Sequence, residues 1–266
     1  MRVEKTVVKA LQVLEALARS EQPRGVSELA RELGFSKSNM YRLLDTLREA
    51  SYVNRVAGGT AFELSLKMWH LGSRVTARLD IKATALPYLR ELRDKTQETA
   101  RLTVLHGDQG ICIEQVETTL PMRIQTPIGG SLLLYCSATG KAMLAFQSTE
   151  FIDSIAASIE RFTPASIATR RDLIAELTQI RKHGFAINRG ERMAGVCGVA
   201  APVVNSAGAA NAAIGISGPA GRLTARVLRS YGPLVRDVAN RLSHDLGATP
   251  MPIVDASSSA QRSANG

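Results

Sequence analysis

Cysteine is scarce in this chain: 266 residues hold only three, Cys112, Cys136 and Cys197, widely spaced and odd in number. That excludes a disulfide framework, leaves no zinc-ligand spacing and suits a reducing cytoplasm. The four histidines, His70, His106, His183 and His244, share no paired spacing that would hold a metal. No apolar run is long enough for a membrane span, and the opening MRVEKTVVKA lacks a signal-peptide core. Nucleotide and hydrolase signatures are missing too. Around Gly140-Lys141, Tyr135 stands where a phosphate loop needs its first glycine, and Ala142 where it needs Ser or Thr. No Gly-x-Ser-x-Gly elbow occurs, and no neighbouring histidine supports an activated thiolate at Cys197. No catalytic residue, metal or cofactor is expected.

What is present is length for two domains and a net charge of +9. The excess is spread along the chain. Residues 1–82 hold 14 Lys and Arg against 9 Asp and Glu, and residues 83–266 hold 19 against 15. An anionic partner is favoured, but sequence readout would depend on where a few cations stand rather than on bulk attraction.

The segment GVSELARELGFSKSNMYRLLDTLREASYVNR, Gly25 to Arg55, carries the strongest signal. Ser27 is a candidate N-cap, Leu29, Ala30 and Leu33 form an apolar stripe, and Gly34 stands where a helix exits left-handed. Phe35 plugs the turn and Ser36 can cap a second helix. There Met40, Leu43, Leu44 and Leu47 fall at i, i+3, i+4 and i+7, a core face. With about 100° per residue, Ser38, Arg42, Asp45 and Glu49 lie opposite, and Asn39 and Tyr41 flank them. Ser36 and Lys37 sit where helix-start amides meet a phosphate, and Arg42 could read guanine bidentately. Taken singly, Asn39 and Tyr41 read equally well as bystanders. Tyr52–Val56, Ala57-Gly58-Gly59 and Thr60–Leu64 read as a hairpin, a wing from which Arg55 could touch phosphate. Upstream, Val7, Leu11, Leu14 and Leu17 are expected to close the core. The expectation is a winged helix-turn-helix over residues 3–64, followed by a linker helix over 65–82 in which Trp69 packs against a partner or the second domain.

From residue 83 the pattern is mixed, and the fold class expected for the whole is α+β. A helix over 83–95 precedes a hairpin of 100–105 and 111–117, which 122–125 could extend. Ser137–Phe146 and Arg170–His183 read as helices, Gly198–Val204 and Ala210–Ser217 as strands, and Arg222–Leu246 as a closing helix. The Ser-, Ala- and Pro-rich stretch 247–266 reads as a disordered tail.

Together these residues resemble the IclR family of bacterial transcriptional regulators, across about residues 5 to 246. The resemblance rests on the helix-turn-helix and wing, then PIGGSLLLYCSATGKAMLAF, GFAINRGERMAGVCGVAAPVVNSAG and AAIGISGP, in that order. It implies a GAF-like α/β effector-binding domain over 83–246, double-stranded operator DNA and a small-molecule effector as partners, and a homodimer or dimer of dimers. It also implies repression more often than activation. Effector-pocket positions of the family map onto Ala138, Thr139, Asn188, Gly198, Gly215 and Ser217. Asn188 stands where an aspartate is usual, Gly198 where a cysteine is and Gly215 where a serine is, so a wider pocket with fewer polar anchors is expected. The matching effector is an organic acid larger or more apolar than glyoxylate or pyruvate, an aromatic acid among the candidates. The alternative is a signalling protein of this fold that acts without DNA.

Overall fold

The computed structural model describes residues 4–76, 80–124, 126–205 and 207–248. The chain divides into two compact units at 78/79.

In the first unit, helix α1 (Lys5–Ala18) is capped by Glu4, whose carboxylate accepts from the Thr6 amide. It buries Val13, Leu14, Ala16 and Leu17. Val7 and Leu11, expected in the core, are 55% and 53% exposed, because no described residue of this unit covers their side of α1. A short strand β1 (Arg24–Gly25) leads into α2 (Val26–Leu33). The N-cap is Gly25 rather than Ser27: pairing of Gly25 with Ala61 holds it extended, so the helix turns begin directly after it. Gly34 leaves α2 at φ 69°, a backbone angle that costs glycine nothing. The Oγ of Ser36 accepts from the Asn39 amide and starts α3 (Lys37–Glu49), which buries Met40, Leu43, Leu44 and Leu47. Strands β2 (Val53–Arg55) and β3 (Ala61–Leu64) form the wing, with β1 on the far side of β3. Helix α4 (Leu66–Thr76) closes the unit.

The second unit opens with α5 (Asp80–Thr96), so residues 80–82, read from sequence as linker, belong to this helix. Strands β4 (Thr99–His106) and β5 (Gln109–Val116) form the expected hairpin. No strand forms over the described residues of 122–125; Pro121 and Pro127 flank that stretch and remove donors from it. The edge strand is instead β6 (Ser131–Leu133), paired to β5 after Gly129 and Gly130 bond the backbone of Cys112. A turn of 3-10 helix, α6 (Ala138–Leu144), α7 (Thr149–Ala156) and α8 (Arg170–His183) follow. Strands β7 (Ala186–Arg189), β8 (Val196–Val203) and β9 (Ala212–Pro219) and the long α9 (Ala225–Asp245) complete the unit.

The sheet is antiparallel throughout, in the order β6-β5-β4-β9-β8-β7. Its side chains alternate between two cores. Ala100, Leu102, Val199, Ile214 and Ile216 pack against α5 and α9, while Ala200 and Ala213 face α6 and α8. Ala248, placed by sequence in the tail, is buried beside Val204 and Ala210 and donates its amide to Ser243, so the packed chain runs at least to 248. The rest of the expected tail lies outside the described residues.

Candidate DNA interface and effector site

Ser36, Lys37, Ser38, Tyr41 and Arg42 are exposed on one side of α3, and Asn39 is half-buried at its edge. Charge on this face is uneven for a local reason. Arg48 donates to Asp45 at 2.7 Å, so those two charges cancel near the C-terminal end. Lys37 and Arg42 make no ion pair among the described residues, which leaves two free cations on the N-terminal half. Arg55 does not simply reach outward: its Nε–H donates to the Gly59 carbonyl at 2.9 Å and ties it across the wing turn.

The start of α4 is fastened to the end of α3. The Ser65 hydroxyl donates to the Ser51 carbonyl, and the Lys67 ammonium donates to the Ala50 carbonyl at 2.8 Å while lying over the Tyr52 ring. A cation bonding the last carbonyls of a helix is favourable for its dipole. Lys67 therefore serves α3 and is not free for DNA.

In the second unit the family positions converge on the α6 face of the sheet. Asn188, Gly198, Ser217 and Thr99 form one rung across β7, β8, β9 and β4. Thr139, on α6, accepts a hydrogen bond from the buried Thr103 of β4 at 3.2 Å. Ala138 is buried in the core beside it. Asn188 is engaged by the fold: its Oδ1 accepts the Glu191 amide at 3.0 Å and shapes the turn from β7 to β8.

The expected extra room is not at the glycines. A Cβ on Gly215 would lie 2.5 Å from the Cβ of Ala200 and the Val199 carbonyl oxygen, and one on Gly198 would lie 2.6 Å from the Ile216 carbonyl oxygen. These residues mark close approach of the β8 and β9 backbones. A serine or cysteine there would force the strands apart, so the glycines tighten this face where widening was expected.

Sequence reasoning also missed the two most consequential charges. Arg101 points to the α6 face, opposite to its neighbours Ala100 and Leu102, and only 8% of it is exposed. Its Nη1 donates to Thr126 at 2.6 Å and its Nη2 to Ser217 at 2.7 Å. Burial pulls the guanidinium below its ordinary pKa. The α6 face thus carries, beside Ser217, a buried cation that the sequence reading did not anticipate. A signal existed: Arg101 stands in an alternating run, TARLTVLH, in a sheet covered on both faces.

Lys141, read in sequence only as part of a failed phosphate loop, is 1% exposed. Its ammonium donates to Glu176 at 2.8 Å, Glu191 at 2.7 Å and the Ile187 carbonyl at 2.8 Å, so all three protons are used. Burial pushes the Glu191 carboxyl above the usual carboxylate range despite that neighbour. This knot joins α6, α8 and the β7–β8 turn.

The thiols are inert by position. All three cysteines are buried, and burial raises each thiol, Cys136 to about 11. A water-soluble thiol reagent at pH 8 is expected to leave the native protein unmodified over minutes and to label all three cysteines in denaturant. Rapid native labelling would show that one of them is reachable as thiolate.

The second unit matches the family model for the bacterial transcriptional regulator IclR C-terminal domain over residues 73–244. The first matches the IclR helix-turn-helix domain over residues 6–57. The chain belongs to the IclR family. It is 31% identical to the HTH-type transcriptional repressor AllR of Salmonella paratyphi A over 91% of this chain and 90% of that protein. With the HTH-type transcriptional regulator KdgR of Escherichia coli it shares 29% over 93% and 94%. Among solved structures, a putative IclR regulator from Silicibacter sp. superposes with a TM-score of 0.81 at 27% identity, covering 94% of this chain and all of that one. An IclR homologue from Microbacterium hydrocarbonoxydans, complexed with 4-hydroxybenzoate, shares the fold at TM-score 0.77 and 20% identity, covering 92% and 100%. This IclR-family chain is a DNA-binding transcriptional regulator built from a winged helix-turn-helix and an α/β effector domain.

Proposed function

We propose that this regulator reads its operator with the N-terminal half of α3 and that a small organic acid, held on the α6 face of the second unit, adjusts that binding. The observation that carries the DNA half is the pair of free cations, Lys37 and Arg42, on the N-terminal half of an exposed helix face, while Arg48 and Asp45 pair off nearer its C-terminal end. Ser36 and Lys37 contact phosphate, Ser38, Asn39, Tyr41 and Arg42 meet base edges or the flanking backbone, and Arg55 sets the wing. Ala138, Thr139, Asn188, Gly198, Gly215 and Ser217 form or support the effector site. An effector acts only through its different affinity for the DNA-competent and incompetent arrangements. Because α4 is fastened to the end of α3, a shift of α4 would be felt at the recognition helix.

Repression is the proposed sign of control, in line with the relatives named as repressors. A homodimer, and a dimer of such dimers, is proposed because α1 and α4 expose Val7, Leu11, Leu66 and Trp69, the last two 83% and 71% accessible. A cytoplasmic site of action is proposed with it; no described helix is long and apolar enough to cross a membrane.

The test is a gel shift on the region upstream of the protein's own gene, with sedimentation to count chains per complex. Arg42→Ala is expected to weaken operator binding by roughly 1–3 kcal/mol and to relax the preference at one base pair. Equal loss on operator and random DNA would move Arg42 from base readout to phosphate. Wild-type protein that prefers no fragment over random DNA would sink the reading.

A further inference from the structure

The two deeply buried cations among the described residues of the second unit, Lys141 and Arg101, are treated differently by the fold. Lys141 has two carboxylates and a carbonyl around its ammonium. Arg101 has two neutral hydroxyls, Thr126 and Ser217, and its Nε–H is buried without any acceptor. Among the described residues no carboxylate pairs with it. A guanidinium taken out of water without an opposite charge is strongly disfavoured, so this site lacks an anion that no described residue supplies.

The neighbouring chemistry points the same way. Thr126 and Ser217 each accept from Arg101, and neither hydroxyl donates its own proton to another described residue. Nε–H, the second proton on each Nη and two hydroxyl protons therefore remain as donors around one positive charge. Thr103 and Thr139 lie on the same face of the sheet. A single carboxylate has the charge and the acceptor oxygens for this set, whereas a phosphate dianion would leave one charge unmatched.

We infer that Arg101 is the charge-reading residue of the effector site, holding the carboxylate of a small organic acid together with the hydroxyls of Thr126 and Ser217. This rests on the reading of the α6 face as the effector site. It adds which group of the effector is recognised and by which side chains.

The experiment uses full-length protein at fixed ionic strength. Thermal melts and calorimetric titrations compare acetate, pyruvate, benzoate and 4-hydroxybenzoate with their neutral amides and with inorganic phosphate. Wild type, Arg101→Gln and Ser217→Ala are measured in parallel. At least one carboxylate is expected to raise the melting temperature of wild type by several degrees while its amide does not. Arg101→Gln should reduce that affinity by roughly 10–100-fold and Ser217→Ala by roughly tenfold. Without ligand, Arg101→Gln should melt at or above wild type, because the uncompensated charge is gone. Equal responses of wild type and Arg101→Gln to every carboxylate, including no response of either, overturn the inference. So does a clear loss of unliganded stability in Arg101→Gln, or stabilisation by phosphate but by no carboxylate. Amides that bind as tightly as their acids overturn the role of Arg101 while leaving the effector site itself standing, and loss of operator preference in wild type bears only on the regulator reading.

Discussion

Lys141→Met is expected to destabilise the effector domain by about 3–5 kcal/mol, the cost of breaking a buried ion pair from one side. The substitution leaves Glu191, 9% exposed at its side chain, and Glu176, 35% exposed, without their shared cation. Glu191 suffers most, because one of its oxygens already lacks a partner. For a unit of this size the loss corresponds to a fall in melting temperature of roughly 6–20 °C. Calorimetry of the full-length protein measures it. Burial holds the Glu191 carboxyl above its ordinary pKa, so the folded state binds that proton more tightly than the unfolded chain does. The stability linked to it is full below the unfolded pKa and is lost as pH rises through the folded one. The variant's deficit should therefore be larger at pH 8 than at pH 5, and adding Glu191→Gln should recover part of it. A deficit under about 1 kcal/mol at pH 8 would show that water or relaxation already screens the knot.

Leu44→Ala is expected to abolish operator binding at 37 °C without touching a single proposed DNA contact. Leu44 is fully buried in the core that joins α1, α2, α3 and the wing. Leu→Ala in such a site removes about 2–5 kcal/mol, and a unit of 78 residues has only about 4–12 kcal/mol in total. Two unfolding transitions would be followed by circular dichroism, and only the one belonging to the first unit should move. Arg42→Ala gives the complementary result, weaker binding with the melting profile unchanged. If Leu44→Ala bound its operator with wild-type affinity and melted normally, the packing of α3 on this core would be wrong.

These two effects separate what was legible from what was not. The second could be written from the sequence, because Met40, Leu43, Leu44 and Leu47 repeat at helical spacing and Ser36 and Gly34 are local punctuation. Each of those signals depends on residues within about a turn of one another. The same logic failed for Val7 and Leu11, which share the periodicity of a core stripe yet remain exposed. Periodicity identifies the apolar face of a helix, but not whether a neighbour covers it along its whole length. It failed for Ser27 as well, where pairing of Gly25 across to Ala61 moved the helix start.

In the effector domain the strands β4, β5, β8 and β9 were readable, whereas the edge strands β6 and β7, of three and four residues, were not. Strands so short have too few alternations to register, and the pairing of β6 depends on a turn at Gly129 and Gly130. Gly198 and Gly215 were misread in the other direction. As letters they suggest vacant volume, but the volume at a glycine is set by the strand opposite, here Ala200, Val199 and Ile216.

By itself, then, the sequence determined the two-unit plan, the recognition helix with its exposed cations, and the family to which the chain belongs. Those rest on local spacing and on motif order, which a linear chain carries in full. Tertiary structure alone decided the electrostatics of the effector domain. Arg101 and Thr126 are 25 residues apart, Arg101 and Ser217 116, and Lys141 and Glu191 50. Whether a buried charge finds its opposite is a property of what folding brings within 3 Å. Among the described residues Lys141 found two carboxylates and became structure, whereas Arg101 found only hydroxyls, which is why we assign its charge to an incoming acid.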